Sequence, residues 1–144
     1  MFKRILVPLE HSPTDEVILE YIRPLARSCR ASLVLIHVAD GWVARNIQQL
    51  DLRESEEMKE DFGYLDRVCK ELRQDGFNVE AVLAAGDPAR EIAAAADRER
   101  CDLIAMATHG HRLLADVVRG SVASELRHIS MIPVLMVRAG KAKQ

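Results

Sequence analysis

The chain has 144 residues, 49% of them hydrophobic, which suits a single compact domain over residues 1–144 with a substantial core. Its 22 acidic and 20 basic residues leave a formal charge of -2 and are scattered along the chain, which argues against nucleic acid or anionic lipid as partners. The longest apolar runs are too short to span a bilayer, and the first twenty residues lack the apolar segment of a signal peptide. We therefore expect a cytoplasmic protein without a membrane partner.

The first half of the chain predicts strand, helix and strand. A strand over residues 3–9 is followed by a helix that starts within the segment HSPTD, where Ser12 is suited to cap the helix and Pro13 to its first position. Asp15 suits the positive end of this helix, which runs to about Cys29. The apolar run SLVLIHVA, residues 32–39, is typical of a strand buried on both faces.

The second half repeats the alternation. Apolar residues at three- and four-residue spacing predict an amphipathic helix over residues 52–74. Strands are predicted over residues 79–84, 102–108 and 133–138, and helices after Asp87-Pro88 and over residues 121–129. Strands that alternate with helices predict an α/β fold: a single, doubly wound, five-stranded parallel sheet.

Two of the seven glycines lie in the stretch ATHGHRLLADVVRGSVASELRH, residues 107–128. Ligands of doubly wound sheets bind beyond the carboxyl ends of the strands, where this stretch begins. The helix that starts at Gly120-Ser121 would present free N–H groups to a phosphate, and Gly110 would let the loop fold over that phosphate. The spacing alone leaves open the alternative that Gly110 closes a turn and Ser121 only caps a helix. Neither a P-loop nor a G-x-G-x-x-G motif is present.

Histidine and cysteine residues give weaker signals. His109 and His111 lie on the glycine loop without a third ligand nearby in the sequence, so we assign no metal ligand. His37 lies inside an apolar strand and is expected to be a core histidine whose ring nitrogens are satisfied. The three cysteines lie far apart without a C-x-x-C pair, and we expect reduced thiols that pack against the core.

The segments ILVPLEHS, LVLIHV, GDPAREI, DLIAMATHG and GSVASELRHISMIPVLMVR resemble the universal stress protein family over essentially the whole chain. Nucleotide-binding members of that family carry G-2x-G-9x-G-[S/T] after strand four. Here Gly110, Gly120 and Ser121 match that motif, and Ala107 stands in place of the first glycine. The resemblance implies a Rossmann-like sheet with strand order 3-2-1-4-5 and a homodimer through strand five, Pro133 to Arg138. It also implies ATP across the strand tips, with Mg²⁺ held by the phosphates.

The resemblance further implies which residues contact the nucleotide. Adenine and ribose would be surrounded by Pro8, Leu9, Glu10 and Val38, with Met106, Ala107 and His109 on the ribose side. The phosphates would be held by Gly110, Gly120, Ser121, Val122 and Ala123. Two positions depart from the family pattern, because Glu10 is one methylene longer than the usual Asp and Ala107 adds a methyl group beside the ribose. The φ angle of Ala107 is expected to be negative, since the residue ends a strand.

Three functions remain open from the sequence. The first is a stress-response or signalling module in which bound ATP shifts loop order and thereby the choice of an unknown regulatory protein partner. The second is an enzyme, but the sequence offers neither a positioned general base nor a two-carboxylate metal cage. We therefore assign no catalytic residue and expect slow ATP hydrolysis at most. The third is a dimeric scaffold that binds no nucleotide.

Overall fold

A computed structural model of the chain describes residues 1–40, 52–108 and 122–139. Strands and helices alternate along these ranges. The elements are β1 (Arg4–Pro8), α1 (Thr14–Cys29), β2 (Ser32–Asp40), α2 (Leu52–Gln74), β3 (Val79–Gly86), α3 (Pro88–Arg98), β4 (Leu103–Thr108), α4 (residues 122–129) and β5 (Val134–Arg138). The predicted alternation is confirmed, with bounds that differ by one or two residues.

The five strands form one parallel sheet in the order β3-β2-β1-β4-β5, as predicted. The central strand β1 pairs with β2 on one side and with β4 on the other. The chain winds outward from β1 through β2 to β3 and then crosses to β4 and β5. The winding direction therefore reverses between β1 and β4, which is where sheets of this kind leave room for a ligand.

Both faces of the sheet are covered by helices. Alternate strand residues, such as Ile5 and Leu35, pack against α1 and α2, whereas Leu6 and Ile36 pack against α3 and α4. This burial on two sides explains why β1 and β2 are largely apolar in the sequence. No helix in the described parts of the chain is long and apolar enough to cross a membrane.

The two helices that begin near the strand tips start differently. The expectation that Ser12 caps α1 is wrong: Pro13 occupies the cap position with a helical φ of -59° and no side chain caps the helix. The segment before α1 is held instead by Asp15 in its first turn. Helix α3 follows its prediction, because the Asp87 carboxylate accepts the N–H of Arg90 at 3.2 Å and a proline lies in the first turn.

The cysteines are packing thiols, as expected. Cys69 and Cys101 are buried, and Cys29 is partly buried at the end of α1. Burial raises the pKa of the Cys69 thiol and raises that of Cys101 to about 11. At neutral pH both therefore remain protonated, and thiolate chemistry is disfavoured at these two positions.

Candidate functional site

A cleft of about 230 Å³ opens at the carboxyl ends of β1, β2 and β4. It lies at the point where the winding direction of the sheet reverses, which is the ligand position of doubly wound folds. Seven of the predicted site residues line it: Pro8, Leu9, Glu10, Val38, Met106, Ala107 and Val122. The structure thus brings together residues that lie up to 114 positions apart in the sequence, counted from 8 to 122.

The remaining five predicted site residues fall into two groups. Ala123 is buried on the side of α4 that packs into the core. His109, Gly110, Gly120 and Ser121 lie outside the described residues, so their contacts remain predictions. Within the described ranges, no group of three or more His, Cys, Asp or Glu side chains is arranged to hold a metal ion.

Ala107 is buried inside β4 and lies opposite Val137 of β5. Its φ is negative, as expected, because the non-glycine residues with positive φ in the described chain are His11, Arg30 and Arg100. The methyl group therefore causes no backbone strain. Any cost of alanine at this position falls on a ligand in the cleft.

One wall of the cleft is apolar. Ile36 and Val38 of β2 and Met106 of β4 meet Pro88 and Ile92 from the first turns of α3. An apolar wall of this kind is suited to bury a flat, apolar ring of a ligand away from water. Sequence reasoning missed Pro88 and Ile92, although the Asp87-Pro88 helix start after strand three already places α3 at this edge of the sheet.

The opposite rim is polar and belongs to the end of β1. The Glu10 Oε1 atom accepts hydrogen bonds from the hydroxyls of Ser12 and Thr14, each at 3.3 Å. These two hydroxyls are themselves 2.9 Å apart. The Glu10 carboxylate is thus bonded to its own loop, and a ligand hydroxyl would compete with these contacts.

A buried carboxylate holds the backbone of this rim. Asp15 is 2% exposed. It accepts the N–H groups of Glu10 and His11, each at 2.9 Å, and of Ser12 at 3.3 Å. The Tyr64 hydroxyl of α2 donates to the same carboxylate at 2.6 Å. Burial and this bond to a carboxylate raise the pKa of Tyr64. Sequence reasoning assigned Asp15 only to the helix dipole and missed this role.

His37 has one hydrogen-bonded ring nitrogen, and it lines the cleft rather than lying in the core as expected. Its Nδ1 atom is 2.9 Å from the carbonyl oxygen of Leu9, and its Nε2 atom is 3.2 Å from Oδ2 of Asp61 in α2. The other Asp61 oxygen is 2.9 Å from Nδ1 of His11. The His11 ring stacks on Tyr64, with ring centroids 4.1 Å apart. Helix α2 is thereby joined to the tip of β1 by several polar contacts.

This architecture agrees with the comparison to known proteins. The profile of the universal stress protein family matches residues 1–138. The chain belongs to the universal stress protein family. It is 28% identical to universal stress protein MJ0577 of Methanocaldococcus jannaschii, over 96% of each chain. It is also 28% identical to universal stress protein YxiE of Bacillus subtilis, over 96% of this chain and 100% of that protein.

Solved structures share the universal stress protein fold. The structure of MJ0577 matches with a TM-score of 0.79 and 29% identity, over 96% of each chain. A universal stress protein from Archaeoglobus fulgidus in complex with dAMP matches with a TM-score of 0.67 and 20% identity, over 94% of this chain and 97% of that one. A universal stress protein in complex with cAMP has a TM-score of 0.69 and 17% identity, over 95% and 97% of the two chains. At these last two identities, the likeness shows the fold.

Proposed function

We propose that this universal stress protein is a nucleotide-binding module of the stress response that takes ATP, with Mg²⁺ on its phosphates, and changes its choice of regulatory partner accordingly. The observation that carries the proposal is the cleft, which gathers seven predicted ligand residues at the switch point of the sheet. The dAMP and cAMP complexes of two proteins with this fold support a nucleotide as the ligand class.

The chemistry of the walls orients the nucleotide. The base lies against the apolar wall that includes Val38 and Met106, and the ribose hydroxyls point toward Glu10 on the polar rim. The phosphates extend toward the beginning of α4, where helix N–H groups and the helix dipole favour an anion. Val122 lines the cleft from the first described turn of this helix.

A matched pair of substitutions in α4 tests the proposal. At about one hundred times its dissociation constant, Mg-ATP should stabilise the native protein by about 2.7 kcal/mol. Val122→Trp should abolish this shift because the indole fills the cleft, whereas Ser124→Trp, on the exposed face of the same helix, should retain it. The measurement is thermal unfolding with and without Mg-ATP, together with native mass spectrometry of the purified protein. No shift in the parent protein and no co-purified nucleotide would overturn the proposal.

A homodimer through β5 forms the second part of the proposal. Among the described strands, β5 pairs with β4 and forms an edge of the sheet. Leu135 and Met136 on this strand are exposed, as are the neighbouring Ile129 and Met131. An exposed apolar edge strand favours association, and a second copy of the same strand would cover it.

Sedimentation at micromolar concentration tests this assembly. The parent protein should sediment at twice the chain mass, and Leu135→Asp should shift it toward the monomer because it places a charge in the contact. Tyr21→Asp, a change of an exposed aromatic residue on α1, is the matched control and should leave the dimer intact. A monomeric parent would contradict the dimer. A stable dimer that binds no nucleotide would favour the alternative function of a ligand-free scaffold.

A further inference from the structure

The loop after β1 contains a backbone conformation that needs support. His11 has a φ of 61°, in the left-handed region that is unfavourable for a residue with a side chain. The Asp15 carboxylate supports this conformation through two oxygens. Its Oδ1 atom accepts the N–H of Glu10 at 2.9 Å, and its Oδ2 atom accepts the N–H groups of His11 at 2.9 Å and Ser12 at 3.3 Å. The direction in which the Glu10 side chain leaves the backbone therefore depends on where this carboxylate points.

Tyr64 of α2 contacts this loop and its support at two points. The Tyr64 hydroxyl donates to the Asp15 Oδ2 atom at 2.6 Å, which is shorter than the three bonds from the loop. The Tyr64 ring stacks on the His11 ring, with the two planes 16° apart. Burial and the Asp15 carboxylate raise the pKa of Tyr64, so the hydroxyl keeps its proton at neutral pH and remains a donor. Tyr64 does not itself line the cleft, so it acts on the cleft through the loop.

The Tyr64 hydroxyl is hard to replace as a donor to Asp15. Asp15 is 2% exposed, so bulk water has almost no access to its Oδ2 atom. A carboxylate that has lost a buried donor can rotate about its Cβ–Cγ bond, because rotation about this bond meets a broad energy well. The N–H groups of His11 and Ser12 then lose their acceptor. Since His11 is unfavourable in the left-handed region, the loop would adopt other conformations.

We propose that Tyr64 is a positioning residue for the nucleotide, an inference that rests on the proposed function. Its hydroxyl fixes the Asp15 carboxylate, the carboxylate fixes the loop, and the loop presents Glu10 to the ribose hydroxyls. Without the Tyr64 hydroxyl, a smaller fraction of the molecules has the loop in this conformation, and the apparent affinity falls by the same fraction. The loss concerns the ribose contact, because Val38 and Met106 of the apolar wall belong to β2 and β4 rather than to this loop.

Tyr64→Phe tests the inference because it removes the hydroxyl and keeps the ring that stacks on His11. The full chain is titrated calorimetrically with Mg-ATP and with the Mg complex of dideoxy-ATP, which lacks both ribose hydroxyls. The parent should prefer ATP, and Tyr64→Phe should weaken ATP binding about fivefold while the affinity for dideoxy-ATP changes little. Tyr21→Phe is the matched control. It removes the hydroxyl of the other tyrosine, which is exposed on α1, and should bind both nucleotides as the parent does.

Two further measurements show whether the effect passes through the loop. In isotope-labelled protein without nucleotide, the NMR signals of the Glu10 and His11 amides should shift in Tyr64→Phe and stay in place in Tyr21→Phe. In a Glu10→Ala background, Tyr64→Phe should cause no further loss of ATP affinity, because the side chain that it positions is gone.

The outcomes separate this inference from the proposed function. ATP affinity in Tyr64→Phe equal to that of the parent, or an equal loss for ATP and dideoxy-ATP, would overturn the positioning role and leave nucleotide binding in place. Unchanged amide signals of Glu10 and His11, or the same loss of ATP affinity with and without Glu10, would also overturn it. A parent that binds both nucleotides equally would overturn it too, since Glu10 would then not contact the ribose. A parent that binds neither nucleotide would overturn the proposed function and this inference together.

Discussion

The amino ends and the carboxyl ends of the parallel strands use polar side chains in different ways. At the amino ends, where the strands begin, the Arg4 guanidinium donates to the Ser32 hydroxyl at 3.1 Å, to Glu80 at 3.1 Å and to the Glu99 carboxylate at 3.2 Å. Its Nε atom also donates to the Glu99 carbonyl at 2.7 Å. One cation therefore ties β1, β2 and β3 to the end of α3, and its donors are directed at protein atoms.

Asp102 adds further contacts at the amino ends of the strands. Its carboxylate accepts the N–H groups of Lys3, at 3.1 and 2.9 Å, and of Arg4, at 3.1 Å. Partial burial alone would raise the pKa of Asp102, but the hydrogen bonds from these two backbone groups outweigh it and hold the pKa below its ordinary value. The carboxylate therefore closes the start of β1 against β4.

At the carboxyl ends of the strands, comparable polar groups surround the cleft. Asp15, His37 and Asp61 fix the backbone and the helix around the cleft. The difference shows that charge density alone does not mark a candidate site. Where the strands begin, the polar groups bind one another, whereas where the strands end they bind the backbone and the helix beside a cleft.

The largest expected effect comes from replacing Asp15, at the carboxyl ends of the strands. Asp15→Asn replaces a carboxylate that accepts three N–H groups and the Tyr64 hydroxyl with an amide, whose NH2 group must face a donor. With buried donors left unpaired, we expect a loss of about 2–4 kcal/mol in the free energy of unfolding, measured by urea denaturation. Nucleotide affinity should fall as well, because the backbone that carries Glu10 is no longer fixed.

The control for Asp15 is its neighbour in the same helical turn. Glu16 is exposed, so Glu16→Gln should change the stability by less than about 0.5 kcal/mol and leave nucleotide affinity unchanged. If Asp15→Asn were as mild as Glu16→Gln, the buried carboxylate would not be what holds the rim of the cleft.

A smaller loss of stability is expected at the amino ends of the strands, and nucleotide affinity should not change there. Asp102→Asn should lower the free energy of unfolding by about 1–2 kcal/mol at neutral pH, because charged hydrogen bonds to Lys3 and Arg4 become neutral ones. The folded-state pKa lies below the ordinary 3.8, so this contribution is present above that value and disappears as the pH falls through the folded-state pKa. The stability gap between parent and variant, followed by denaturation at several pH values, should therefore close in acid. A change in the nucleotide affinity of Asp102→Asn would contradict the distinction between the two ends of the strands.

The sequence predicts the fold well because burial repeats in a simple pattern. The stretches at residues 5–9 and 33–36 are apolar throughout, as strands covered on both faces must be, and α2 has the spacing of a half-buried helix. The strand order follows from the family resemblance rather than from the pattern itself. The start of α1 was predicted less well, because Ser12 is a good cap by residue type but its hydroxyl contacts Glu10 and Thr14 instead.

The cleft could be predicted only in part. Residues at strand ends, such as Val38 and Met106, are found by counting along each strand. His37 contacts Asp61, which lies 24 positions later on a helix packed against the sheet. No local sequence pattern predicts that contact. An isolated histidine in an apolar run indicates a core residue, and only the packing of α2 shows that this one lies at the edge of a cavity.

The smallest expected effect is a change of one methyl group in the cleft. Ala107→Gly should lower the free energy of unfolding by about 0.5–1 kcal/mol, since glycine weakens a strand interior. It should also tighten Mg-ATP binding severalfold if the methyl group crowds the ribose, so stability and affinity move in opposite directions. Ala105→Gly is the matched control two residues earlier on β4, where the side chain is buried away from the cleft. It should lose stability without any gain in affinity. Calorimetric titration of both variants decides the matter: equal affinities in Ala107→Gly and the parent would mean that Ala107 borders the cleft without touching the ligand.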